Sequence, residues 1–256
     1  MNNSTPFFSI ITASYNSEKT IKNTIESVIN LNFRDYEYII VDGNSNDKTV
    51  EIINSFIPKF EALGVSFKYI SEKDKGIYDA WNKGILMSSG KWISFLGSDD
   101  EYLPDALNSY YNHIKQNPNC NYVSSKCELI NTRKEILTVF GKLFIWEKVV
   151  RNMEIAQVGS FHKKDLFEKV GIFDENYKIV GDLEFYIRCK NHIKPSYFEE
   201  VTAKMLNEGV SNQIYKALKE ALDVKLKYKS TTALVSYFDF STILMKCYYN
   251  KLIKKK

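Results

Sequence analysis

No stretch of this chain is apolar for long enough to span a bilayer, and Asp239 interrupts the best candidate. No N-terminal segment has the basic-then-apolar pattern of a signal peptide, so a cytoplasmic location is expected. The four cysteines (Cys120, Cys127, Cys189 and Cys247) lack metal-ligand spacing, which argues for free thiols in a reducing compartment. A strong charge of one sign is also missing. The formal net charge is +4 and evenly spread over residues 1–220, too mild for a nucleic-acid partner. There is no internal repeat and no low-complexity linker. What remains is ordinary globular material: 256 residues, 44% hydrophobic and 26% charged, enough for one large domain or one domain with an appendage. Aromatics reach 14%, with seventeen Tyr, a content that suits sugar stacking and dense packing alike.

The first hundred residues alternate between two periodicities. "FFSIIT" (Phe7–Thr12), "EYIIVDG" (Glu37–Gly43), "SFKYISE" and "KWISFLG" are short, near-continuous apolar runs, as buried strands are. Between them lie helical patterns. One is capped by Asn16 or Ser17 and carries Ile21, Ile25, Val28 and Ile29 on one face. A second has Val50, Ile53 and Phe56 or Ile57 as its stripe, and a third is "GIYDAWNKGILMS". Strand–helix alternation predicts a parallel sheet covered on both faces, with ligands outside the carboxyl ends of the strands. Beyond Asp100 the pattern weakens. A helix over Ala106–Lys115, a strand over "NYVSSKCELI", a short helix in "KKDLFEKVG", another opening at "GDLEFYIRC", and a late strand in "SYFEEVTAKML" are expected. Residues 131–155 have no clear period. "SNQIYKALKEALDVKLKYK" is an amphipathic helix, so the expected division is a domain over 1–211 and a helical extension over 212–256.

Each expected strand end carries polar residues. The first leads into Thr12-Ala13-Ser14-Tyr15-Asn16, the second reaches Asp42, the third runs to Asp74 and Gly76, and the fourth meets Ser98-Asp99-Asp100. A parallel sheet puts all four ends on one edge. Acids gathered there need a cation or hydrogen-bond donors between them.

"SIITASYN", "YIIVDGNSNDKT", "SEKDKGIYDAWNKGI", "GKWISFLGSDD" and "VGDLEFYIRC" occur in this order and together resemble the family 2 glycosyltransferases, over about residues 6–211 if "EGVSNQ" is counted. The resemblance implies an α/β fold of the Rossmann-like GT-A type, with a central, mostly parallel sheet, helices on both faces and here a helical C-terminal extension. It implies an inverting transferase that uses a nucleotide-diphospho-sugar, UDP-linked or otherwise, and many relatives of this kind build bacterial surface polysaccharides such as O-antigen or capsule. The acceptor would be a saccharide or a polyprenyl-diphosphate-linked saccharide.

Carried over by position, Thr12, Tyr15 and Asp42 match residues that hold base and ribose, and Asp74 lies in the segment beside ribose and donor sugar. A uracil imide N–H needs an acceptor such as Asp42, and its face needs a cover such as Tyr15. Ser98 and Asp99 match donor-side positions, and Asp100 matches the metal ligand. Mn2+ or Mg2+, bound through oxygens, stabilises the departing diphosphate. Asp182 aligns with the general base, with Glu184 as the nearby alternative. Tyr78, Trp81 and Ile85 have helical spacing and are expected in the core, while Asp79, Asn82 and Lys83 are candidate polar contacts. Ser45 and Asn46 are expected to cap the helix after Asp42. Ala156 stands where related sequences often have His, so the acceptor side departs from the pattern. His162 receives no role, and His113 and His192 are expected at the surface.

Other functions fit less well. A sugar nucleotidyltransferase calls for a Gly-rich phosphate loop, and "TASYNSEKT" has no Gly. A phosphohydrolase calls for an Asp-x-Asp nucleophile, which "VDGNSND" does not supply in that spacing. A non-catalytic binding module has no need of Asp99, Asp100 and Asp182 together. The basic, aromatic end "KLKYKSTTALVSYFDFSTILMKCYYNKLIKKK" suits an anionic inner leaflet, at about 1 kcal/mol per basic residue, and equally suits a packed helix with a frayed tail.

Overall fold

The structure, a computed structural model, describes residues 5–153, 155–207 and 213–253, with 247–253 as backbone only. The first half is β1 (Phe8–Ser14), α1 (Ile21–Ile29), β2 (Tyr36–Asp42), α2 (Thr49–Ser55), α3 (Ile57–Leu63), β3 (Ser66–Ser71), α4 (Ile77–Met87) and β4 (Trp92–Phe95). The second is β5 (Glu101–Tyr102), α5 (Ala106–Gln116), β6 (Tyr122–Ile130), β7 (Ile136–Phe140), α6 (Trp146–Asn152), β8 (Ser160–Lys163), α7 (Lys164–Val170), α8 (Gly181–Arg188), β9 (Pro195–Leu206), α9 (Ile214–Lys227) and α10 (Ala233–Ile253). One sheet runs β3-β2-β1-β4-β8-β6-β9-β5, with β7 beside β6. Strands β1 to β4 pair in parallel, and the pairings beyond β4 are mixed.

The apolar runs of β1, β2 and β4 are buried because both faces of the sheet are covered, whereas β3, expected to be buried, is an edge strand and only partly covered. Along β1 and β2, alternate side chains enter opposite cores. Phe8, Ile10, Tyr38 and Ile40 pack with Ile21, Ile25 and Val28 of α1 on one face. Ile11, Ile39 and Val41 pack with Tyr78, Trp81 and Ile85 of α4 on the other, as the helical spacing of that trio requires. Each large side chain buried this way contributes roughly 1.5–3 kcal/mol.

Several sequence expectations change on folding. Asn16 and Ser17 do not cap α1, whose N-cap position is Thr20, without a side-chain cap. Asn16 instead accepts the Asn46 N–H at 3.0 Å, and Ser17 meets Ser98, so both are taken by neighbouring loops. Ser45 and Asn46 do not cap the next helix either. The N-cap position of α2 is Lys48, without a side-chain cap, and Asp47 just before it accepts the Thr49 N–H at 2.9 Å. The single helix expected after β2 is two, broken at Phe56, with Pro58 in the first turn of α3. The segment over 131–155 contains β7 and α6, and β8 occupies Ser160–Lys163, where no strand was expected. Cys120, Cys127 and Cys189 are free and buried. The "EGVSNQ" segment up to Ser211–Asn212, with the expected domain boundary, and the final Lys254–Lys256 lie outside the described residues. Among the described residues, no helix is long and apolar enough to cross a membrane.

Gly84 marks where α4 crosses β1, for a Cβ there would overlap the Ile11 side chain. Gly84→Ala gains about 1 kcal/mol in helix propensity. Ile11 is β-branched and fully buried, so it cannot yield, and overpacking costs roughly 1–3 kcal/mol. Urea denaturation should show a net loss of stability; a gain would mean that the helix and strand separate freely.

Candidate active site

Parallel register lines up the strand ends. Ser14 of β1 pairs with Asp42 of β2, and Asp42 pairs with Ser71 of β3. The Asp42 carboxylate is fully buried and accepts from Ser14 Oγ at 3.0 Å, Ser71 Oγ at 2.7 Å, Ser45 Oγ at 2.5 Å and the Ser45 N–H at 2.9 Å. These donors offset the cost of burying the acid. Asp74 comes close from the loop after β3: a Cβ on Gly43 would lie 2.6 Å from its Oδ2. Its Oδ1 accepts the Gly76 N–H at 2.9 Å. Burial raises the Asp74 carboxyl, and the charges of Asp79 and Asp42 add to this, against the Gly76 N–H and Lys83. Thr12 is fully buried, its hydroxyl accepting from Tyr38 at 3.1 Å, whereas Tyr15 is 63% exposed. The other polar candidates of this segment are engaged within the protein. Asn82 bridges the Phe173 backbone at 2.9 Å, and Lys83 pairs with Glu72 at 2.8 Å and Asp79 at 3.7 Å.

The acidic pair sits at the next strand end. Asp100 donates its N–H to Gly97 at 3.1 Å, which closes a tight turn after β4. A Cβ on Gly97 would lie 2.6 Å from Asp100 Oδ2 and 2.8 Å from Asp99 Oδ1, so only glycine lets both carboxylates fold back over this backbone. Ser98 shares a 2.8 Å hydrogen bond with Ser17, tying the ends of β1 and β4 together. A cavity of about 320 Å³ is bordered there by Ser17, Lys19, Asp47, Ser98, Asp99 and Leu206. Asp100 is buried, with the Leu206 N–H on Oδ1 at 3.1 Å. Burial, and next the Asp99 charge, push its carboxyl up to about 8. Crowded hard-oxygen donors that resist ionising together fit a divalent cation. Among the described residues no three His, Cys, Asp or Glu side chains converge as a metal site, so other oxygens would complete the shell.

Asp182 lies in the first turn of α8, whose N-cap position is Val180. Its Oδ1 accepts the Leu183 N–H at 2.8 Å, and the Tyr78 hydroxyl lies 3.4 Å away while donating to Ile179 O at 2.8 Å. Burial pushes the Asp182 carboxyl up to about 6 against these hydrogen bonds. Glu184 has a different fate. It is buried in a fork with Arg188 at 2.7 and 2.9 Å and accepts from the Tyr228 hydroxyl at 2.5 Å. It is a structural ion pair. Glu220 of α9 went unnoticed in the sequence: its carboxylate accepts the N–H groups of Lys178 at 3.1 Å, Ile179 at 2.9 Å and Val180 at 3.2 Å, holding the turn that presents Asp182. In an amphipathic lysine-rich helix it reads as one more solvated acid. His162 is fully buried, 3.0 Å from the Tyr186 hydroxyl, and His192 is exposed. His113 departs from expectation: it is half-buried, 2.7 Å from Ser196 Oγ, because α5 packs on β9.

Comparison with known proteins places these residues in context. The family model for "Glycosyl transferase family 2" matches residues 9–173. A "PGL/p-HBAD biosynthesis glycosyltransferase" of Mycobacterium tuberculosis is 29% identical over 213 residues, 82% of this chain and 80% of that protein. Among solved structures, TarS of S. aureus in complex with UDP superposes with a TM-score of 0.67 at 18% identity, over 93% of this chain and 70% of that one. The chain spans 43% of the longer TarS structure. A mannosyltransferase from Pyrobaculum calidifontis, in complex with GDP-Man and Mn2+, superposes with a TM-score of 0.67 at 14% identity, over 90% of this chain and 66% of that one. At such identities the structural likeness speaks for the fold alone.

Asp182 carries a pH signature that needs no substrate. An unfolded Asp titrates near ~3.9. Raised to about 6, the folded carboxyl holds its proton more tightly than the unfolded one, so ionising it costs stability. Asp182→Asn should therefore melt higher than wild type at pH 7. The gain should shrink as pH falls from 6 to below about 4, where wild type becomes protonated in both states. A melting difference that does not change with pH across this window would rule out a strained carboxylate.

Proposed function

The chain belongs to glycosyl transferase family 2 and is a glycosyltransferase, and from that premise we propose that it moves a sugar from a UDP-sugar to a saccharide or polyprenyl-diphosphate-linked saccharide acceptor in surface polysaccharide biosynthesis. The reading is carried by one observation: Asp42, Asp74 and the Ser98-Asp99-Asp100 turn all lie at the carboxyl edge of the parallel strands, where α/β sheets bind nucleotides. Solved relatives in fold bind UDP and GDP-Man, which supports a nucleotide-sugar donor.

In this proposal the N–H of the base takes over an acceptor site on Asp42 that Ser45 holds, the exposed Tyr15 covers the base face, and Thr12 forms part of the floor beneath. Asp74 and Asp99 meet the ribose, with Ser98 beside them. Asp100 holds Mn2+ or Mg2+, whose chemistry when bound is to stabilise charge on the diphosphate. Asp182 takes the proton from the acceptor hydroxyl while that oxygen bonds to the anomeric carbon. The bond to the diphosphate breaks with its electron pair on the leaving group, so one displacement inverts the centre. A carboxyl titrating near 6 is mostly ionised at neutral pH yet basic enough to take a proton.

The division into a catalytic domain over 1–211 and an extension over 212–256 is part of the proposal. So is a cytoplasmic location at the membrane surface. Leu234, Phe238 and Met245 form one exposed stripe on α10, at 85%, 63% and 62% exposure, and lysines follow in the sequence. Flotation with anionic liposomes should recover wild type and leave behind a variant with serine at these three positions; equal recovery of both argues against membrane contact.

Calorimetry and transfer assays separate the roles. Asp100→Ala should abolish metal-dependent UDP binding. Asp182→Asn should keep that binding and lose about 10²–10⁴-fold in transfer. Wild-type transfer should fall as pH drops below about 6, the region where Asp182 protonates. Glu184→Gln should act on stability rather than on this pH limb, because its carboxylate serves Arg188 and Tyr228. Full transfer by Asp182→Asn, or a product of retained configuration by NMR, contradicts the scheme.

A further inference from the structure

A second cavity, of about 630 Å³, opens between α6, α8, α9 and α10, and Asp182 forms part of its wall. Much of the rest is aliphatic or aromatic, including Val150, Met153, Leu183, Leu218, Phe240 and Ile243. Close-packed interiors leave few voids larger than a water, whereas small-molecule sites of roughly 300–1,000 Å³ have mostly apolar walls. The helices around it are tied by charge. Arg151 of α6 and Lys225 of α9 both pair with Asp239 of α10, at 2.7 and 3.5 Å. Arg151, Lys225 and Lys246 stand against the carboxylates of Asp239 and Asp182, which leaves the wall with a surplus of one positive charge.

We propose that this cavity receives the apolar aglycone of the acceptor: a hydrocarbon chain attached to the acceptor sugar, whose hydroxyl is thereby presented to Asp182. The proposal rests on Asp182 being the base. The nucleotide edge is rich in hydrogen-bonding groups and suits the polar donor. The cavity has the opposite character over most of its surface, and among the described residues Asp182 is the one acid that lines it. A molecule that is apolar along its length and meets the base at one end is an acceptor carried on a chain. The surplus positive charge favours a phosphate between chain and sugar over a neutral link.

Titrations of the full-length chain test this with dodecyl maltoside below its micelle concentration, dodecyl phosphate and inorganic phosphate, each beside UDP with Mn2+. Both dodecyl ligands should raise the melting temperature, and inorganic phosphate alone should not. Leu218→Trp, which fills the cavity, should weaken dodecyl binding by at least about tenfold and leave UDP–Mn2+ affinity near wild type. In wild type, a diazirine-bearing dodecyl maltoside should label peptides of α6, α9 or α10, a readout that does not require the variant to fold. Tighter binding of dodecyl phosphate supports the phosphate-linked chain; tighter binding of the maltoside removes the phosphate and leaves the chain. If UDP–Mn2+ binds and no dodecyl ligand does, or the label falls elsewhere, the aglycone site is overturned while the donor reading stands. If dodecyl ligands bind and UDP–Mn2+ does not, the cavity is no acceptor site and the donor reading falls with it.

Discussion

The site depends on the parallel register of β1, β2 and β3. Because Ser14, Asp42 and Ser71 occupy one row across three strands, a carboxylate can be buried at the sheet edge with serine hydroxyls on either side of it. A slip of one residue would turn Asp42 towards the opposite face and leave a buried acid unsatisfied. The apolar residues behind it enforce the register. Ile10 and Tyr38 must face one core, and Ile11 and Ile39 the other. Packing deep in the sheet thus sets the position of polar atoms at its rim. The loops continue this logic: Gly43 and Gly97 each follow a strand, and each leaves a space that a carboxylate occupies.

Chemically similar acids are sorted by their surroundings. Asp182 and Glu184 lie two residues apart on one short helix. Glu184 is buried against a guanidinium and a phenol, so its charge is compensated and committed. Asp182 is half-buried, and desolvation outweighs the Leu183 N–H, its own backbone N–H and a distant hydroxyl, so its carboxyl rises. Asp100 rises for a related reason, burial beside another acid. Poorly compensated charge is a store of reactivity, and it marks Asp100 and Asp182, the residues proposed to hold a cation and to take a proton.

The C-terminal helices belong to this arrangement. Glu220 of α9 collects the backbone N–H groups just before α8, and Tyr228 completes the Glu184 ion pair. The helix carrying Asp182 is therefore braced from a segment far along the chain. The same helices, with α10, wall the large cavity at that point. Their inner and outer faces differ: Phe240 and Ile243 turn to the cavity, and Leu234, Phe238 and Met245 to solvent.

The sequence by itself determined the alternating strand–helix half of the fold, because burial on both faces leaves a continuous apolar run and helices leave a 3.6-residue stripe. It also marked the strand-end acids, since polar residues abruptly following such runs have few places to go. Tertiary structure alone decided the rest. The segment over 131–155 forms β7 and α6 through pairing with β6 and packing under α8, neither of which leaves a local period. Asn16, Ser17 and Ser45 read as helix caps, but Asn16 bonds Asn46, Ser17 bonds Ser98 and Ser45 Oγ accepts the Asn16 N–H, partners that only the sheet brings near. Glu220 and Glu184 look like ordinary helix acids until the fold shows what their carboxylates hold. A local pattern records which face of an element is buried; it does not record what it is buried against, and that partner decides whether an acid is a brace, a ligand or a base.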